Sequence, residues 1–212
     1  MNNICILKNI KKKFNNKYIL NNFNLSIKKG EFVAIRGKSG AGKTTLLNII
    51  GLLESYDDGE LYLFENKISN LKYNSINKIL RYKIGYLFQN YALIDDESID
   101  KNLEIALMYS KKNKIDKLNA KINALNLVGL NLDLSKKIYE LSGGEQQRVA
   151  IARLYLKPCE LILADEPTGA LDNSTKLKII KLLKKLNKSG KTIIIVTHDN
   201  EVAQTCDRII DL

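Results

Sequence analysis

The sequence predicts an α/β protein of three layers, and three observations point there. The short apolar runs at 161–164 and 192–196 are hydrophobic at every position, as strands buried on both faces of a parallel sheet must be. A glycine-rich loop at 37–42 stands between a strand-like run at 31–36 and an apolar helical pattern. Longer helical patterns alternate with these runs, which supplies the outer layers that such a sheet needs.

In chain order, the runs 23–27 and 31–36 read as strands joined by the turn Lys28-Lys29-Gly30. The helix after the glycine loop carries Leu46, Leu47, Ile49 and Ile50. The apolar run Ile84-Gly85-Tyr86-Leu87-Phe88 ends in Gln89-Asn90. From 91 to 140 the pattern changes to helical repeats rich in Leu, Ile, Lys and Asn, with no convincing strand, and this predicts an inserted helical subdomain. Ser142 and Glu145 have the S-x-x-E spacing of a capping box, opening a helix that carries Val149, Ala150, Ile151 and Ala152. Between 175 and 191, Lys178, Lys181, Lys185 and Lys188 recur opposite Ile179, Leu182, Leu183 and Leu186, which predicts an amphipathic helix with a solvated basic face. With Pro158 and Pro167 the only prolines and no internal repeat, the 212 residues read as one domain.

Composition narrows the classes. At 45% apolar and 27% charged, the chain has enough hydrophobic side chain for a core and is not a disordered polyelectrolyte. No window holds the roughly 18 consecutive apolar residues of a membrane-spanning helix, and the first fourteen residues lack the apolar stretch of a secretory leader, so the cytoplasm is the expected address. Cys5, Cys159 and Cys206 are odd in number and widely spaced, and are expected to be free thiols. The net charge of +11 invites a polyanionic partner. Only 5 of the 34 basic residues are arginine, however, and few aromatics accompany the lysines, so no nucleic-acid partner is expected.

The segment Gly37-Lys38-Ser39-Gly40-Ala41-Gly42-Lys43-Thr44 fits G-x-x-x-x-G-K-[ST] in the strand-to-helix setting of a nucleotide-binding P-loop. Glycines let successive backbone N–H groups converge on phosphates at a helix N-terminus. Lys43 can reach the β- and γ-phosphates, and the Thr44 hydroxyl is a hard oxygen ligand for Mg²⁺. A plain glycine turn would also join strand to helix, but would not need Lys-Thr at its end.

The run 161–164 ends in Asp165-Glu166-Pro167. Adjacent carboxylates at the carboxyl edge of a buried strand are costly unless they serve a cation or polarise a water, and that edge is where open α/β sheets bind ligands. Asp165 is assigned to Mg²⁺ and Glu166 to general base. His198, the one histidine, follows the run 192–196 at an equivalent edge, and Gln89 ends an apolar run with an amide able to orient both a metal-bound and an attacking water.

The segment Leu141-Ser142-Gly143-Gly144-Glu145-Gln146-Gln147-Arg148, taken with these motifs, resembles the signature sequence of ABC-type ATPases. The order P-loop, Gln89, signature, Asp165-Glu166, Ala170-Leu171-Asp172 and His198 agrees with that family from residue 4 to the end. The resemblance implies a P-loop NTPase fold with a mixed central sheet, an antiparallel β part and an inserted helical subdomain, the core being 1–90 and 141–212 and the subdomain 91–140. It implies ATP and Mg²⁺ as cofactors. Nucleotide contacts would come from Gly37, Lys38, Ser39, Gly40, Ala41, Gly42, Lys43, Thr44 and Thr45, with Phe14, or less favourably Tyr18, stacking on adenine. Ser142, Gly143 and Gly144 would face the γ-phosphate held by a second subunit, Asp172 would link the two sites, and His198 would contact the γ-phosphate. Lys43, Gln89, Glu166 and His198 would carry the chemistry; Thr44, Gln89 and Asp165 would serve the metal.

The same resemblance implies a homodimer with ATP at its interface, peripheral on the inner face of the cell membrane, driving a separate permease docked near 89–107. The strings Phe88-Gln89-Asn90-Tyr91-Ala92-Leu93-Ile94-Asp95 and 159–172 are most similar to small bacterial export ATPases of the lactococcin-type bacteriocin exporter group and the macrolide-export and lipoprotein-release branch. The cargo would be a peptide, bacteriocin or hydrophobic compound. Two alternatives stay open: an ATPase that signals mechanically through a membrane partner without transport, and a soluble ATPase acting on nucleic acid or a cluster scaffold.

Overall fold

The computed structural model describes residues 3–15, 17–169 and 171–212. The strands β1 (Asn3–Phe14), β2 (Lys17–Lys28), β4 (Asp58–Leu63) and β5 (Asn66–Lys67) form an antiparallel sheet of order β2-β1-β4-β5. The strands β3 (Phe32–Arg36), β6 (Ile84–Leu87), β7 (Leu161–Asp165), β8 (Thr192–Thr197) and β9 (Arg208–Asp211) form a second sheet of order β6-β7-β8-β3-β9, parallel at every pairing. The expected mixture of parallel and antiparallel strands is present, divided between two sheets.

The expected turn after Lys28 is formed, with Glu31 donating its N–H to the Lys28 carbonyl at 3.2 Å and Gly30 at φ +84°. It does not pair the strands it joins: β2 lies against β1, and β3 lies between β8 and β9. The turn carries the chain from one sheet to the other.

The parallel strands are apolar at every position because successive side chains enter two different cores. Leu161, Leu163, Ile194 and Val196 point into a core shared with α1 (Lys43–Ile50), α2 (Tyr73–Tyr82) and the antiparallel sheet. Ile162, Ala164, Ile193 and Ile195 point into another, shared with α5 (Gly143–Leu156), α6 (Asn173–Lys188) and the helices before them. These are α3 (Ile99–Leu107) and α4 (Lys114–Leu127), and 91–140 otherwise consists of turns, a single 3-10 turn and one isolated bridge from Ser98 to Lys137. Ser98 and Asn113 cap α3 and α4 by accepting backbone N–H bonds at 3.3 and 2.9 Å. Lys121 of α4 is buried and ties the two helices by pairing with Asp100 and Glu104 of α3 at 2.7 and 2.8 Å.

In α6, Ile179, Leu182, Leu183 and Leu186 are buried while Lys178, Lys181, Lys185 and Lys188 are exposed, as the spacing predicts. Cys5, Cys159 and Cys206 are free, the first two buried. Among the described residues no helix is long and apolar enough to cross a membrane.

Leu163 is fully buried in β7. Leu163→Ala is expected to lower the unfolding free energy by about 2–5 kcal/mol, measured by urea titration, whereas Lys181→Ala on the exposed face of α6 should stay within about 0.5 kcal/mol of the parent.

Candidate functional site

The loop between β3 and α1 curls as its sequence requires. Gly40 and Gly42 adopt φ +78° and +94°, which side chains resist. A Cβ on Gly42 would also lie 2.4 Å from Ile19 Cγ2, so glycine is needed there twice over. Lys43 is buried, and its Nζ donates to the carbonyls of Gly37 at 2.8 Å and Lys38 at 2.9 Å. The ammonium is thus stored inside the loop, on neutral acceptors that an anion can outcompete. The first turn of α1 carries no acidic side chain, so its N-terminal potential is left for a phosphate.

Asp165 closes β7, and its Oδ1 accepts the Thr44 hydroxyl at 3.2 Å. Burial holds the Asp165 carboxyl above the usual carboxylate range; Glu166 adds to the rise, and Thr44 and Lys43 oppose it. A hydroxyl and a carboxylate within bonding distance are hard oxygen ligands of the kind that fit Mg²⁺. Among the described residues no three His, Cys, Asp or Glu side chains gather into a metal cage.

Glu166 has φ +43°, an uncommon conformation for a residue with a side chain. Its N–H donates to the Val196 carbonyl at 2.9 Å, because the parallel register sets Asp165 opposite Val196. The carboxylate then meets the end of β8: it accepts the His198 N–H at 3.1 Å and the Thr197 hydroxyl at 3.3 Å, and lies 2.7 Å from His198 Nδ1. The Glu166 side chain is 14% exposed and that of His198 is 66% exposed, so the glutamate is sheltered while the imidazole reaches solvent.

Glu166, His198, Lys43 and Thr44 share one cleft of about 390 Å³, which Asp165 adjoins through its bond to Thr44 without lining it. Ser39, Gly40 and the run Gly42, Lys43, Thr44 and Thr45 line it together with Phe14, Gln89, Glu166 and His198. Gly37, Lys38 and Ala41 belong to the same loop without lining the cleft. Phe14 stands in the wall and Tyr18 does not; Lys12 Nζ sits 4.9 Å from the Phe14 ring centroid and is held by Glu54 at 2.6 Å. Ile19 also lines the cleft. Sequence reasoning missed it, since an isoleucine in a strand carries no chemical signal and only the close approach to Gly42 reveals it.

Ser142, Gly143, Gly144 and Asp172 do not line this cleft. Ser142 precedes α5, where Glu145 accepts both its N–H and its hydroxyl, at 2.9 and 2.7 Å. Asp172 caps α6, accepting from Ser174 and Thr175 N–H groups and from the Ser174 hydroxyl, bonds that hold its carboxyl well below the usual range. A Cβ on Gly144 would lie 2.9 Å from Thr175 Cγ2, so the starts of α5 and α6 adjoin. Ala170 lies outside the described residues. A larger cavity of about 730 Å³ opens beside Phe88, walled mainly by apolar side chains such as Tyr82, Tyr86, Ile105, Met108 and Tyr109, with Arg81, Lys112, Arg153 and Lys157 at its polar positions.

A family model described as ABC transporter matches residues 20–169. The chain is 44% identical over 209 residues to the macrolide export ATP-binding/permease protein MacB of Campylobacter jejuni, covering 99% of this chain and 33% of that protein. It thus spans about one third of the length of the MacB relatives it matches. It is 45% identical over 200 residues to the uncharacterized ABC transporter ATP-binding protein MJ0796 of Methanocaldococcus jannaschii, covering 92% of this chain and 85% of that protein. The dimeric structure of MJ0796 in a post-hydrolysis state bound to ADP and Pi superposes with a TM-score of 0.88 at 43% identity, covering 98% of this chain and 94% of that one.

The raised Asp165 pKa sets a sign for pH dependence. The native state holds this proton more tightly than the unfolded chain, so stability falls as pH rises from the ordinary aspartate value through the native one. Asp165→Asn, which keeps an acceptor for Thr44, is expected to raise the melting temperature of nucleotide-free protein at neutral pH and to leave it unchanged in acid. Thermal melts across pH check both.

Proposed function

We propose that this chain, which belongs to the ABC transporter family and is an ATP-binding, ATP-hydrolysing domain of that family, works as a pair of copies that close around ATP and so drive a membrane permease. The observation that carries the proposal is the split of the motifs. The P-loop, Phe14, Gln89, Glu166 and His198 share one cleft, whereas the signature residues Ser142, Gly143 and Gly144 and the interface candidate Asp172 lie outside it. A second copy facing the first would complete each cleft with its own α5 N-terminus, where free N–H groups suit a γ-phosphate. The dimeric state of the MJ0796 structures supports this arrangement.

Within the cleft, Lys43 exchanges its loop carbonyls for phosphate oxygens, and Phe14 stacks on adenine with the face that Lys12 leaves open. Thr44 and Asp165 would hold Mg²⁺, with Gln89 as a further candidate at the same cation, which when bound would supply charge neutralisation to the transferred phosphoryl group. Glu166 takes the proton of the attacking water. His198 fixes that carboxylate and touches the γ-phosphate. Hydrolysis removes the charge that bridges the two copies, so nucleotide state becomes opening and closing.

The mainly apolar cavity beside Phe88 supports a permease partner. Tyr82, Ile105, Met108 and Tyr109 are 41%, 41%, 61% and 49% exposed there, a patch that a domain without a partner rarely leaves to water. We assign it to a permease segment seated between the core and the helical subdomain 91–140, which places the chain at the inner face of the cell membrane. Similarity to MacB supports export of a hydrophobic compound, and a peptide or bacteriocin is the cargo proposed within that class.

Glu166→Gln is expected to lower turnover by about 10²- to 10⁴-fold while sparing ATP binding. With Mg-ATP the variant should elute from a sizing column as a dimer that ADP does not support. Turnover within a few-fold of the parent removes Glu166 as the base, and a monomer at high concentration with Mg-ATP removes the closed pair.

A further inference from the structure

We infer that Arg153, in the third turn of α5, is a positioning residue that sets the placement of Gln89 and couples it to the signature end of the same helix; the inference rests on the hydrolytic role proposed for the cleft. Its guanidinium donates from Nη1 to the Ala92 carbonyl at 2.7 Å and from Nη2 to the Tyr91 carbonyl at 2.8 Å. Both of its acceptors are neutral, and burial pulls its pKa down. A half-buried guanidinium that spends two donors on neighbouring backbone carbonyls fixes both of them relative to α5.

That geometry is unusual. Tyr91 and Ala92 are consecutive residues with side chains in the left-handed region, at φ 62° and 47°. They close a tight turn in which Tyr91 N–H donates to Phe88 at 3.0 Å and Ala92 N–H to Asn90 at 2.7 Å, and Gln89 lies inside it. The planar fork of an arginine can hold both carbonyls at once, whereas a lysine can offer only a point charge.

The turn is anchored on three further sides. Upstream, Phe88 stacks on Tyr86 with centroids 4.8 Å apart, and the Tyr86 hydroxyl donates to the Leu47 carbonyl of α1, the helix that carries Lys43 and Thr44. Downstream, the buried Asn102 amide grips Ile94 at both its N–H and its carbonyl, at 2.8 and 3.1 Å. Across, the Tyr91 hydroxyl lies 3.5 Å from where a Cβ on Gly143 would stand. The backbone of Gln89 is therefore carried by a fixed turn, which Arg153 ties to the third turn of α5 and which passes close to the start of that helix at Tyr91. Arg153 also lines the apolar cavity, so whatever seats there presses on the same clamp.

The test is a split between binding and turnover. Arg153→Gln should lower kcat about tenfold to a hundredfold, the scale of a misplacement of about 1 Å. KM and ATP affinity by calorimetry should stay within about twofold of the parent. Arg153→Lys should recover part of kcat, and amide exchange at 88–94 should quicken in Arg153→Gln. Unchanged kcat in Arg153→Gln overturns the role, as does a loss of ATP affinity equal to the loss of kcat, or a lysine variant no better than glutamine. If Arg153→Gln does not fold, Arg153→Lys decides by the same kcat and affinity readouts. Parent-level turnover in Glu166→Gln would instead sink the hydrolytic role of the cleft, a result distinct from unchanged turnover in Arg153→Gln.

Discussion

The parallel pairing of β7 with β8 is the constraint on which the site depends. Its register sets Asp165 beside Val196, and the residues that follow are brought together: Glu166 meets Thr197 and His198. Both strands are buried on both faces, so only their carboxyl edge is free to present chemistry. The unusual backbone at Glu166 is the local cost of turning a carboxylate back over that edge, and the bond from its N–H to Val196 helps to hold it.

Electrostatics follow from the same edge. A carboxylate pair sits next to a stored ammonium, in a protein whose other cations are largely spent elsewhere: on surface pairs, on the solvated face of α6, and on carbonyl groups at chain reversals.

Much of this could be read in the chain. The runs at 161–164 and 193–196 announce themselves because a strand buried on two faces tolerates no polar interruption, and the P-loop because its glycines end in Lys43-Thr44 between a strand and a helix. The lysine face of α6 follows from periodicity alone. The antiparallel sheet was not legible residue by residue. Along β1 and β2 buried and exposed positions alternate imperfectly, and the register slips between Leu7 and Ile10 and again between Ile10 and Lys12. Asn9 and Asn22 bend into the left-handed region within those strands, which breaks the period-two pattern that would have revealed them. Ile19 and Arg153 were invisible for a different reason: each matters through a contact made across the fold, with a glycine in one case and two carbonyls in the other.

The turn at Lys28 to Glu31 passes the polypeptide between two sheets, and the cleft is built across the divide. Phe14 and Ile19 come from the antiparallel layer; the phosphate loop, Glu166 and His198 come from the parallel one. In the proposed arrangement the wall beside the nucleobase and the groups around the phosphates thus come from different sheets, which meet where Ile19 packs on Gly42. Over evolutionary time Phe14 is the part of that wall open to exchange, whereas Ile19, pressed against Gly42, is bound to the shape of the phosphate loop.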